Sequence, residues 1–306
     1  MSLRIERITS VIATAATYDL VDLETVKDEL QIKPSDTSKD RWLCRAIRQI
    51  SSSVAGYTKR VFAPEVLQDV IQFGRDPFPG ARFNGDNELP LTRWPILAVM
   101  SVTQALPNGN TKILVEGVDF TVDADTGRLL RLKSDGRIER WESFPLTVTY
   151  TAGFGALTTT TVTVPPSFQA ALFVDKDFSC TQSVAYASGV ALAQVPANPA
   201  QGQYSLTVGV GDFPSAQLYG FNPADAGQVL TVAYATFRVP DDLVDACLQL
   251  ITGRSAARGR DPALIQRDTP GVGTERFWFG GTPGQSGQFP PDIEAMLDRY
   301  RTPTVA

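Results

Sequence analysis

The side chains able to do chemistry are few in this chain, and their spacing is wrong for catalysis. There is no histidine among the 306 residues, which removes the usual proton shuttle near neutral pH and with it Ser-His-Asp and Cys-His arrangements. Cys44, Cys180 and Cys247 lie far apart, with no C-x-x-C spacing and no histidine to complete a zinc site. They read as small buried residues of a reducing cytoplasm. Asp123, Asp125 and Gly127 resemble the start of a calcium loop, but the following positions hold Arg128, Leu129 and Leu130 and lack the bidentate acid such a loop needs, so a turn is expected. Asp175 and Asp177 come nearest to the carboxylate pair of a hydrolase. The chain is read as having no catalytic centre, cofactor or metal.

A different chemistry is suggested near the end of the chain. Phe277, Trp278 and Phe279 are adjacent, and Gly271, Gly273, Gly280 and Gly281 flank them. Between Arg260 and Pro291 the chain is rich in Gly, Pro and Gln and poor in periodic apolar residues. Two destinations for the aromatics remain open: this subunit's own core, or a neighbour on which the segment orders as a strap. In the second case Phe277, Trp278, Phe279 and Phe289 are anchors, Arg258, Arg260, Arg267 and Arg276 are pairing groups, and Tyr300 and Arg301 extend the same candidate interface.

The elements that would carry this segment begin with helices. Asp22 can cap a helix whose Leu23, Val26 and Leu30 fall three and four apart, and Pro34 stops it. Asp36 or Ser38 can open a longer helix with Leu43, Ala46, Ile47, Ile50, Val54 and Tyr57 on one face, while Arg41, Arg45, Arg48 and Gln49 lie mainly elsewhere. A third helix starts near Asp241, and its Leu243, Val244, Cys247, Leu248 and Ile251 complete the bundle's core.

Between these helices the chain alternates as strands do. Expected strands in the first β region are 66–72, 96–104, 113–115, 128–132 and 146–150, with a hairpin signal at Asn108-Gly109. LTVTY at 146–150 recurs as LTVAY at 230–234, each followed by a Val-Pro. The repeat marks residues 156–237 as an inserted domain. From 158 to 237 charged residues are scarce against a chain average of 20%, and short strands at 170–174, 190–195, 204–208 and 229–234 separated by turns at 198–202 and 222–227 suggest a small β-sandwich or barrel. Trp94 and Trp141 are assigned to packing. The fold class is therefore α+β: a helical bundle from the N- and C-terminal segments, a β-rich middle, and the inserted all-β domain. The core spans 1–155 with 238–306.

Composition narrows the partners. A net charge of -5, from 28 basic and 33 acidic residues, does not suit a dedicated DNA-gripping face. No uninterrupted span of about twenty apolar residues exists, and the first twenty residues lack a cleavable apolar leader. A soluble, unexported protein without membrane contact is expected.

The order of these pieces resembles the phage head-tail connector or adaptor proteins. The residues that carry the resemblance are VDLETVKDEL at 21–30, DTSKDRWL at 36–43, AGYTKRVF at 55–62, LPLTRWPILAVMSV at 89–102, LTVTYTAGFG at 146–155, VPDDLVDACL at 239–248 and PPDIEAMLDRYR at 290–301. It leaves the segment between 155 and 239 outside. The resemblance implies a virion protein made in the host cytoplasm and placed in the neck. It implies a homo-oligomeric ring, twelvefold in assembled particles, with the portal protein and a tail-completion or stopper protein as partners. DNA would pass through the ring without specific binding, which an acidic balance suits because it avoids the affinity gained by counterion release. The competing reading is a capsid or tail decoration protein whose β domain recognises a glycan or a host surface.

Overall fold

The computed structural model describes residues 5–73, 88–106, 108–141, 145–166, 170–210, 213–256, 266–269, 273–276 and 289–301. The described residues form a mixed α/β chain with four α-helices and several antiparallel sheets, none closed into a barrel. Two compact units emerge: Met1–Thr17 with Ala63–Arg238, and Tyr18–Phe62 with Val239–Ala306.

The first unit contains two β layers pairs. A five-stranded antiparallel sheet runs β1 (Ile5–Ala13), β2 (Glu65–Phe73), β9 (Leu146–Ala152), β4 (Ile96–Ala105) and β5 (Thr111–Leu114). A smaller sheet holds β3 (Glu88–Pro90), β7 (Arg128–Leu132) and β6 (Phe120–Asp123), with β8 (Ile138–Glu139) paired to β7. Leu67, Ile71, Val102 and Leu146 of the first sheet and Leu89, Phe120 and Leu129 of the second bury one shared core. Trp141 is buried there, and its Nε1 donates to the Leu129 carbonyl at 3.2 Å.

The second pair of sheets has its own core. β10 (Gly155–Thr163), β16 (Val229–Phe237) and β12 (Phe178–Tyr186) form one sheet. The other is β11 (Ala170–Val174), β15 (Phe213–Phe221), β14 (Gln203–Val210) and β13 (Ala193–Gln194), with the β13–β14 pair parallel. Phe178, Val184, Tyr204, Tyr219, Phe221 and Val232 pack between them. A small third cluster of Val66, Cys180 and Ala235 joins the two halves. The register of β10 on β16 starts at Gly155↔Phe237, so the chain leaves and re-enters at one place. The approach is close: a Cβ on Gly155 would meet the Thr236 carbonyl oxygen at 1.8 Å, which only glycine avoids.

The recurrent LTVTY and LTVAY pentapeptides are β9 and β16, the strands at the centre of their sheets. Both bury Leu, Val and Tyr on one face, as period-two alternation requires. Each tyrosine then meets the same need: Tyr150 donates its hydroxyl to Asp69 at 3.1 Å and Tyr234 donates to Asp175 at 2.7 Å. Burial and the adjacent carboxylate push both phenols upward.

The second unit is helical: α1 (Leu23–Glu29), α2 (Asp40–Thr58), α3 (Asp241–Ala256) and α4 (Pro291–Leu297), the last followed by a 3-10 turn at Asp298–Tyr300. A hairpin of β17 (Gln266–Thr269) and β18 (Gly273–Arg276) belongs to the same unit. Asp22 caps α1, accepting from the Thr25 amide at 2.7 Å and the Thr25 hydroxyl at 2.9 Å. α2 does not open at Asp36 or Ser38. It starts at Asp40 behind Lys39, which has no capping side chain, because Asp36 is spent on a local turn, accepting from the Ser38 amide at 2.9 Å. Leu43, Ala46, Ile47, Ile50 and Val54 are buried, whereas Tyr57 is half-buried. On α3, Leu243, Cys247 and Ile251 are buried and Leu248 is half-buried, a position adjacent to the stripe rather than within it.

Candidate partner-binding surface

Among the described residues, the chemically able side chains serve packing, turns and strand pairing. Cys180 and Cys247 are buried and their thiols are pushed up to about 12 by loss of solvation, which keeps them protonated and inert. Among the described residues no group of His, Cys, Asp or Glu could hold a metal ion. Asp123 is a turn residue, accepting from the Thr126 hydroxyl at 2.5 Å, with Gly127 at φ 70 closing the turn. Asp175 also caps a turn, taking the Asp177 amide at 2.9 Å on one oxygen and the Tyr234 hydroxyl on the other. Asp69, fully buried, is satisfied by the Thr9 hydroxyl at 2.7 Å, the Thr92 amide at 2.9 Å and Tyr150. These carboxylates hold strands and turns together.

The helical unit brings together three of the aromatic and basic residues singled out in the sequence. Phe289 is only 6% exposed. It packs edge-on against Tyr57 with ring centroids 5.5 Å apart, a contact within this unit. Arg301 lies over the Tyr57 ring, 5.5 Å from its centroid, and Tyr57 donates its hydroxyl to Asp298 at 2.8 Å. Tyr300 meets Phe62 edge-on at 5.9 Å and donates to Asp242 at 2.6 Å. Burial and the Asp242 carboxylate push the Tyr300 phenol up to about 12. The chain's last helix is thus fastened to the ends of α2 and α3 by rings and hydrogen bonds. Arg267 and Arg276 lie on the β17–β18 hairpin, where Arg267 is in register with Glu275 and Arg276 with Gln266. Arg258, Arg260, Phe277, Trp278 and Phe279 lie outside the described residues.

The exposed side of the unit is divided by charge, a feature that sequence reasoning missed. Arg41, Arg45 and Arg48 are exposed along α2, and Glu24, Asp28 and Glu29 are exposed along α1. Their segregation depends on one internal ion pair. Lys27, 5% exposed, reaches Asp40 at 2.6 Å and the Pro34 carbonyl at 3.2 Å. That pair withdraws the base from the middle of α1 and the acid from the start of α2. Asp19, near Arg48, is partly buried, and desolvation raises its pKa more than Arg48 lowers it.

No protein-family model matches the chain, and no curated protein sequence does. Among solved structures, the chain is similar over 99% of its length to a chain, 97% covered, from the neck of an empty GTA particle computed with C6 symmetry, at 13% identity and a TM-score of 0.38. It is similar with the same coverage to a chain from the virion of a native gene transfer agent (GTA) particle, at 12% identity and a TM-score of 0.38.

Proposed function

We propose that this chain is a structural virion protein, a head-to-tail adaptor that forms a ring beneath the portal and joins the DNA-filled capsid to the tail. One observation carries the reading. The segments resembling head-tail adaptors at 21–30, 36–43, 55–62, 239–248 and 290–301 are separated in sequence by the whole β region, yet all belong to one compact helical unit. Residues 156–237 form an inserted β domain on the outside of the ring, and the segment containing Phe277, Trp278 and Phe279 is a strap for the portal or a neighbouring copy. The acidic balance of the chain suits a wall past which DNA slides.

The test is loss of the chain from an assembling particle, followed by reconstruction of the neck. Without it, DNA-filled heads lacking tails should accumulate, and adding the purified chain back should restore joining. In complete particles the copy number should equal that of a single neck ring. Copies spread over the capsid or tail surface, with tails still attached in the chain's absence, would instead establish a decoration protein.

A further inference from the structure

We infer that copies of this chain join head to tail through their helical units, the basic face of α2 in one copy docking on the acidic face of α1 in the next. This interface deepens the proposed ring and rests on that reading. Arg41, Arg45 and Arg48 are spaced four and three apart, so they form a single stripe about 10 Å long on α2. Glu24 and Asp28 are spaced four apart on α1, with Glu29 beside them. The acidic stripe is shorter, about 6 Å, and opposite in sign. Among the described residues none of Arg41, Arg45, Glu24, Asp28 or Glu29 forms an ion pair.

Self-repulsion is the second part of the argument. Like charges one turn apart destabilise the helix that carries them, and both stripes contain such pairs. An opposing stripe relieves both at once. The internal Lys27–Asp40 pair sharpens the separation, because it buries Lys27 and pairs the half-buried Asp40, the two charges that would otherwise interrupt the stripes. Since both complementary faces occur on one chain, a second copy supplies what each face lacks. Association through two different faces is heterologous, the geometry that generates a ring when it closes.

The test is a charge exchange followed by mass measurement in solution across ionic strength. Arg41→Glu with Arg45→Glu makes one variant, and Asp28→Lys with Glu29→Lys makes the other. Arg41→Glu puts an acid in the first turn of α2 and the lysines put bases in the last turn of α1, where the helix dipole favours them, so helix content should be retained and is checked by circular dichroism. The unaltered chain should form oligomers larger than a dimer at low salt, and these should dissociate as salt rises past the point where screening is short-ranged. Each variant alone should associate on the order of a hundredfold more weakly, because like charges now face each other. Mixing the two variants, or combining all four substitutions in one chain, should restore assembly. Oligomers that form equally well in both variants would overturn this interface while leaving the ring itself standing. An unaltered chain that stays monomeric at low salt and high concentration, or stops at a dimer, would overturn head-to-tail docking. Recovery of a neck ring from particles would still support the adaptor reading in that case.

Discussion

Tyr300 shows how a single side chain fastens the helical unit. Its hydroxyl donates to Asp242 and its ring packs on Phe62. The phenol is pushed from an ordinary value of 10 up to about 12, first by burial and then by the hydrogen bond to the carboxylate. A raised pKa means that the folded chain holds the proton more tightly than the unfolded chain does. The corresponding stability is therefore complete below about pH 10 and lost as the pH rises toward 12. Tyr300→Phe should lower stability near neutral pH by about 1.5 kcal/mol, the typical worth of a hydrogen bond to a charged partner. It should also lessen the alkaline fall of the melting temperature between pH 10 and 12, measured against the unaltered chain. An unchanged alkaline limb would show that Tyr300 does not titrate with unfolding. Asp69 and Asp175 illustrate the same economy elsewhere: each buried or half-buried tyrosine at the end of a central strand is matched by a carboxylate acceptor.

At the scale of elements, α2 gives the sharpest contrast between two faces. Ile47 is 3% exposed and Arg48 is exposed on the other side of the helix. Ile47→Ala should cost about 2–5 kcal/mol, the range for truncating a fully buried aliphatic. Arg48→Ala should change the melting temperature of the monomer little. Thermal melts of equal size in the two variants would refute this assignment of faces. The apolar stripe of α2 was legible because a helix with one wet and one dry face must repeat every three or four residues. The start of α2 was not, since Asp36 had two local uses and only the folded chain reveals that it takes the turn. β1, β10, β12 and β15 escaped notice for another reason. β10 is rich in threonine and β12 mixes small and polar residues, so burial in one sheet is decided by strand neighbours rather than by an alternating pattern. The charged stripes were written in the sequence, but the Lys27–Asp40 pair that makes them uniform is a tertiary contact. Phe289, Tyr300 and Arg301 were legible as an aromatic and basic group; their joint attachment to Tyr57 and Phe62 was not, because the pairs are separated by more than two hundred residues.

For the molecule as a whole, the duplicated central strand pentapeptide accompanies two hydrophobic cores within one β unit. The core around Leu67, Val148 and Leu129 and the core around Val184, Tyr219 and Val232 share no residue. Among the described residues, the contacts that connect them include Val66, Cys180 and Ala235 in apolar contact, the Ser179 hydroxyl donating to the Pro64 carbonyl at 2.8 Å, and the Ala16 amide donating to the Ser179 carbonyl at 2.8 Å. The ends of the intervening segment meet at Gly155 and Phe237, so closing the gap needs only a short loop. Replacing 156–237 by a few Gly-containing residues should leave a cooperatively folding chain, weakened by about 2–4 kcal/mol from exposing Val66 and losing those hydrogen bonds. The excised 156–237 segment should fold by itself, because its apolar side chains already pack between its own two sheets. Circular dichroism and calorimetry on both pieces check this. Two cooperative melts would establish two separable domains, with the helical unit and its proposed partner surfaces left intact in the shortened chain. A molten product from either piece would mean that the Val66, Cys180 and Ala235 cluster is a required part of one continuous core, and that the pentapeptide repeat marks no domain boundary.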